Sequence, residues 1–198
     1  MMNKMELKKL YLKDGFSVAQ ISDKFSISQH KTNYWLFKYG IKKRSISEAM
    51  YLKLNPNGDP FSYNAPRSKT EWLLFGLGIG LFWGEGNKRN KFSVRLGNTD
   101  PRLIKTFLMF LDKIFRIDKT RLRFGLQVFS DTSPKIAKKY WEKELNISSS
   151  RFYKVTVTPA RSVGTYKHKS NYGVLTVHFS NTKLKKILDK LIENCLPM

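Results

Sequence analysis

The chain has 198 residues, with 37 Lys+Arg against 15 Asp+Glu and a formal charge of +22. At 41% hydrophobic and 14% aromatic it carries enough apolar surface for a folded core, so the charge does not imply disorder. A folded body this basic repels itself unless a polyanion is near, which points to nucleic acid as the partner. The excess runs through the whole chain, net +7 over 1–68 and +15 over 69–198, so there is no acidic body with a basic tail. A single cysteine, Cys195, excludes an intrachain disulfide and argues against secretion. The first residues mix Lys and Glu without an apolar core segment, and the longest apolar stretch, Trp72 to Trp83, is too short to span a bilayer. No signal peptide and no membrane partner are therefore expected, and a cytoplasmic, nucleoid-associated location is. His30, His168 and His178 have no metal-ligand spacing with one another or with Cys195.

Three segments are expected: a helical unit over 1–53, a linker over 54–68 rich in Pro, Gly and Asn, and a mixed unit over 69–198. In the first, Leu7, Leu10 and Tyr11 give one helix an apolar face, and Gly15 ends it. Ser17 caps a second helix, with Gln20 completing a capping box, and Ile21 and Phe25 form its buried side. Ser26, Ile27 and Ser28 make a tight turn, and Ser28 caps a third helix that buries Thr32, Trp35 and Leu36.

This arrangement resembles the helix-turn-helix of resolvase-like and homeodomain-like DNA-binding domains, on Ser17, Ile21, Phe25, Ile27, Ser28, Trp35 and Leu36. Ser22 stands where a small alanine is usual, and Ser26 where glycine is common. The resemblance implies that the third helix enters the major groove of duplex DNA. Gln29, His30 and Asn33 would then face the bases, with Lys31 and Lys38 near phosphates; a solvated helix face is the alternative for each. The Lys42, Lys43, Arg44 run after the helix suits phosphate or minor-groove contact.

From Lys69 onward the expected order is helix, strand, helix, strand, helix, strand, strand, helix, a mixed α/β (α+β) domain. Strands are expected over 92–96, 121–129, 151–158 and 174–179, and helices over 102–115, 135–145 and 183–194. Polar clusters before the helices, such as Asn98-Thr99-Asp100-Pro101 and Ser133-Pro134, are caps. In the first helix of this unit Gly76, Gly80 and Gly84 recur every four residues and so share a face. Each glycine costs about 1 kcal/mol against alanine in a helix, so three need a reason, and close approach of a second helix is one.

The stretch Gly78 to Gly86 (GIGLFWGEG) resembles the LAGLIDADG motif of homing endonucleases. Gly80 and Gly84 fall on the small positions, and Glu85-Gly86 on the terminal acid-glycine pair. The Asn98-Thr99-Asp100-Pro101 helix start also looks like that of the family's bacterial and archaeal members. The resemblance implies that two motif helices pack together through Gly76, Gly80 and Gly84 and that Glu85 binds Mg²⁺ or Mn²⁺ for DNA cleavage. With one motif copy, it implies a homodimer. Glutamate replaces the commoner aspartate, and Trp83 stands where an acid or polar residue is frequent. The motif does not place the family's assisting lysine; Lys183 or Lys185, after the last strand, would fill that role. Phosphodiester hydrolysis fits the residues themselves, since a divalent cation takes carboxylate oxygens and two adjacent Glu85 carboxylates would require one. The alternative for Glu85 is a solvated residue, or one paired with Lys88 or Arg89.

Arg121, Arg123 and Gln127 on one strand, with Lys154 and Thr156 on another, alternate with apolar residues as a DNA-facing sheet requires, and equally as any half-exposed strand does. Tyr166-Lys167-His168-Lys169 suits a phosphate-gripping loop or a plain solvated one. The lysines 183, 185, 186 and 190 read as a solvated helix face. The expected function is thus sequence-specific duplex DNA binding, either as a homodimeric metal-dependent endonuclease or as a non-catalytic transcriptional regulator on the same fold. A structured RNA partner is disfavoured because A-form RNA hides its major groove from a helix.

Overall fold

The computed structural model describes residues 2–160 and 170–195. They form eight helices and one four-stranded sheet and divide into two units, 1–60 and 61–198. The mixed α/β class and the expected order of elements from Lys69 onward are both found. The linker is corrected: its second half belongs to the larger unit. Phe61 is buried in that unit's core, and the backbone N–H groups of Ser62 and Asn64 donate to the carbonyls of Phe115 and Ile114 at 2.9 and 2.7 Å. An apolar anchor with satisfied backbone cannot behave as a free tether.

In the smaller unit, α1 (Lys4–Lys8) runs on as a π-helical stretch, Lys9–Lys13, and is followed by α2 (Val18–Lys24), α3 (Gln29–Lys38) and α4 (Ile46–Leu54). Both helix starts read from the sequence are as expected. Ser17 and Gln20 form the reciprocal capping box on α2, and Ser28 accepts from the Lys31 N–H at the start of α3. The core is Met2, Leu7, Leu10, Tyr11, Ile21, Trp35, Leu36 and Ile41. Ser22 and Thr32 are buried between α2 and α3 with their hydroxyls 2.8 Å apart, so serine in place of alanine is matched by a partner. Ser26 takes a left-handed conformation, φ 50°, which glycine adopts at lower cost. Helix α4, which the helix-turn-helix reading lacks, starts from a second capping box, Ser45 with Glu48.

The larger unit comprises α5 (Lys69–Glu85), β1 (Val94–Asn98), α6 (Pro101–Phe115), β2 (Arg123–Phe129), α7 (Pro134–Leu145), β3 (Thr156–Thr158), β4 (Val174–Phe179) and α8 (Thr182–Cys195). The sheet order is β1-β4-β2-β3; β4 is antiparallel to both β1 and β2, and β3 is parallel to β2. Inward residues Val94, Leu96, Phe124, Leu126, Val128, Leu175, Val177 and Phe179 meet Ile79 and Phe82 of α5, the apolar stripe of α6, Trp141 of α7, and Leu184 and Leu188 of α8. Burying a side chain of this size contributes about 1.5–3 kcal/mol. The opposite face of the sheet carries the half-exposed and exposed side chains, the alternation expected of a sheet covered on one side.

Two strands are shorter than expected. Arg121 is not on a strand: it closes a 3₁₀ turn, Lys119–Arg121, and pairs with Asp118 at 3.8 Å. Of the stretch 151–158, only Thr156–Thr158 joins the ladder; Phe152 makes one bridge to Phe124, and exposed Lys154 precedes the strand.

Candidate nucleic-acid interface

On α3, burial of Thr32, Trp35 and Leu36 turns the opposite side outward, so Gln29, His30 and Lys31 are exposed and Asn33 is half-buried. These residues lie in the first turns of the helix, where free backbone N–H groups also favour a phosphate. The Lys38 ammonium sits 5.0 Å from the centre of the Trp35 ring, near the helix end. Lys42 and Lys43 are exposed.

Arg44 is a correction. Its guanidinium turns into the unit, donating to the carbonyls of Tyr11, Gly15 and Phe16 and stacking 4.1 Å above the Tyr11 ring. Its own N–H bonds the Tyr11 hydroxyl at 3.0 Å. A planar fork of donors suits three converging carbonyls, and a group so occupied holds the α1–α2 turn together instead of reaching a phosphate.

In the larger unit the open sheet face is organised by register. Arg95, His178 and Arg123 pair across β1, β4 and β2 in one row. Gly97, Thr176 and Gly125 form the next, and Val174, Gln127 and Thr156 the third. The two glycines keep the middle low: a Cβ on Gly97 would stand 2.9 Å from the Thr176 hydroxyl, and one on Gly125 3.1 Å from His178 Nε2. The edge of Tyr153 meets the His178 ring, centroids 5.3 Å apart. Burial, and then the Arg95 charge, push His178 down to about 4, so the ring is neutral near pH 7. Gln127 is exposed and donates to the Thr158 hydroxyl at 2.9 Å. One guanidinium nitrogen of Arg123 donates to the carbonyls of Thr120 and Leu122, which fixes the side chain at the end of its row. Arg95, Thr176 and His178 were missed in the sequence because their strands read as ordinary alternation; only the register puts them in rows with Arg123 and Gln127. Tyr166 to Lys169 lie outside the described residues.

The end of α5 abuts this sheet. Gly86 bridges Leu96 of β1, and the Asn87 N–H donates to the Arg95 carbonyl at 2.9 Å. Gly86 is required there, because a Cβ would stand 2.2 Å from the Phe82 carbonyl. Glu85 is exposed and, among the described residues, forms no ion pair with Lys88 or Arg89. An exposed carboxylate at a helix C-terminus opposes the helix dipole, so its place is not explained by stability. No group of three or more His, Cys, Asp or Glu side chains that could hold a metal is found among the described residues, so one protomer offers Glu85 without further side-chain ligands.

Gly76, Gly80 and Gly84 are bare: a Cβ on any of them would meet nothing within 4 Å. Gly76 and Gly80 line a shallow apolar groove along α5 with Trp72, Leu73, Leu77 and Leu81, in which Trp72 is 58% and Leu73 65% exposed. The close helix approach within the chain falls instead on Gly78, under Phe110 of α6. Of the candidate lysines, Lys183 is exposed at the start of α8. Lys185 departs from the solvated-face reading: it is 1% exposed, bonds the Asp189 carboxylate at 2.5 and 2.6 Å, and sits 5.5 Å from the Phe82 ring. No helix among the described residues is long and apolar enough to cross a membrane.

Comparison of the chain with protein-family models, with curated proteins and with solved structures gives no match.

Proposed function

We propose that the protein binds duplex DNA and, as a homodimer, hydrolyses its phosphodiesters in the manner of a LAGLIDADG endonuclease. One observation carries this reading: an apolar glycine face left bare along α5 that ends in an exposed carboxylate, Glu85, without an ion-pair partner among the described residues and against the edge of a basic sheet. Contiguous exposed apolar surface on a folded chain marks an interaction site, and the absence of side chains at 76, 80 and 84 suits a second helix backbone. Two chains joined there bring two Glu85 carboxylates together, which repel unless a cation lies between them. The donor set fits Mg²⁺ or Mn²⁺, which bind through one or two carboxylates and complete their shell with water and phosphate oxygens. Bound there, the ion supplies Lewis acidity for hydrolysis. The chain's own residues do the rest. The sheet rows through Arg95, Arg123 and Gln127 hold the backbone, Lys183, exposed where Lys185 is buried, is the candidate for an assisting charge, and Gln29, His30 and Asn33 of α3 extend base readout with Lys31, Lys42 and Lys43 on phosphates.

A second reading, a DNA-binding regulator on the same fold, is favoured by one observation: half-exposed Trp83 beside Glu85, where the cleaving family commonly carries a polar or acidic residue. The deciding experiment incubates wild type and Glu85→Gln with a randomised duplex DNA pool spiked with DNA flanking the gene, in Mg²⁺ or Mn²⁺. The expected result is double-strand cuts by wild type alone, with equal DNA binding by both. Equal binding without cuts in either metal replaces the nuclease with the regulator, and no binding by wild type removes both.

A further inference from the structure

The turn between α5 and β1 carries Lys88, Arg89 and Lys91, all exposed, followed by Phe92, which is 72% exposed. None of the three cations forms an ion pair among the described residues. A loose surface loop of like charges would relieve its repulsion by spreading, yet this one is fastened throughout. Asn87 Oδ1 accepts from the Asn90 N–H at 3.1 Å. Asn90 Oδ1 accepts from the N–H groups of Phe92 and Ser93 at 2.8 and 2.9 Å and from the Ser93 hydroxyl at 3.1 Å. Ser93 is buried, and its oxygen accepts from Arg95 Nε at 2.8 Å, so the turn is wired to the first residue of the Arg95–His178–Arg123 row. Its other end is the Gly86–Leu96 bridge next to Glu85.

We infer that this turn is a preformed DNA grip. Lys88, Arg89 and Lys91 neutralise phosphates beside the Glu85 carboxylate, and Phe92 lies on base and sugar edges as an apolar wedge. The inference rests on the DNA-binding reading and adds its partner surface on the larger unit. A fixed turn loses little conformational freedom on binding, so its charges act at full effect. An aromatic ring held out among cations matches the alternation of phosphate and apolar base edge along a groove wall.

The test is fluorescence anisotropy of the full chain on a duplex of random sequence about 40 base pairs long, titrated from roughly 50 to 300 mM NaCl. Four proteins are compared: wild type, the triple Lys88→Ala/Arg89→Ala/Lys91→Ala, Phe92→Ala, and a charge-matched triple on the exposed side of α7, Lys135→Ala/Lys139→Ala/Lys143→Ala. The loop triple is expected to lower the slope of log K against log[NaCl] by about 0.9 per lost phosphate contact, so about 2.7 per turn engaged. The α7 triple should lower it by less than about 1. Phe92→Ala should weaken binding about tenfold at every salt concentration and leave the slope unchanged. Equal slopes for the two triples, or wild-type affinity in Phe92→Ala, overturn the grip while wild-type binding still stands. Wild type that fails to bind duplex overturns the DNA reading itself, and the grip with it.

Discussion

The Phe110 ring stands where a side chain on Gly78 would have to be: an ideal Cβ there lies 2.1 Å from the ring's Cγ. Phe110 is fully buried and packs against Phe75, Phe107 and Phe115, so it cannot retreat. One helix thus presents glycine for two purposes, Gly78 to its own core and Gly76, Gly80 and Gly84 outward.

The two kinds of glycine separate under substitution. Gly78→Ala is expected to lose about 2 kcal/mol, because overpacking outweighs the roughly 1 kcal/mol that alanine gains in a helix. Gly80→Ala is expected to keep or slightly raise the melting temperature of the isolated protomer and to abolish self-association in sedimentation equilibrium. Self-association of Gly80→Ala equal to that of wild type would remove the glycine face from the proposed dimer.

Arg44 and its neighbours should part in the same way. Arg44→Lys loses the fork that serves the carbonyls of Tyr11, Gly15 and Phe16, and about 2 kcal/mol of local stability is expected to go with it. Amide hydrogen exchange in α2 and α3 reads this directly. Lys42→Ala and Lys43→Ala should leave exchange unchanged and reduce only the salt dependence of DNA binding. Native protection in Arg44→Lys would contradict the structural role.

His178 makes the larger unit acid-sensitive. Its pKa is about 4 when folded against an ordinary 6.5, so the unfolded chain takes up a proton that the folded one refuses. The stabilisation is complete above about pH 6.5, declines as pH falls and levels off below about 4. Urea midpoints of wild type should therefore drop between about pH 7.5 and about pH 5, and those of His178→Gln should drop less. Equal pH dependence in the two proteins would show that the ring titrates normally. Duplex DNA binding between roughly pH 6.5 and 8 should not change through this residue.

The sequence by itself determined what is local. Helix starts follow from Ser17, Ser28, Asp100 and Ser133, whose side chains need only the next turn's N–H groups. The element order from Lys69 follows from the period of apolar residues. Helix α4 carries a local signal of the same kind, the Ser45 and Glu48 spacing, which the helix-turn-helix reading passes over. What depends on distant parts of the chain was decided only in three dimensions. Phe61 was indistinguishable from linker until α6 supplied its pocket. Arg44 looked like another exposed cation until three carbonyls converged on it, and Lys185 like another solvated lysine until Asp189 and Phe82 enclosed it. Arg95, His178 and Arg123 became one row through strand register, which pairs Arg95 with His178, 83 positions along the chain, by hydrogen bonds that leave no trace in the composition of any single strand.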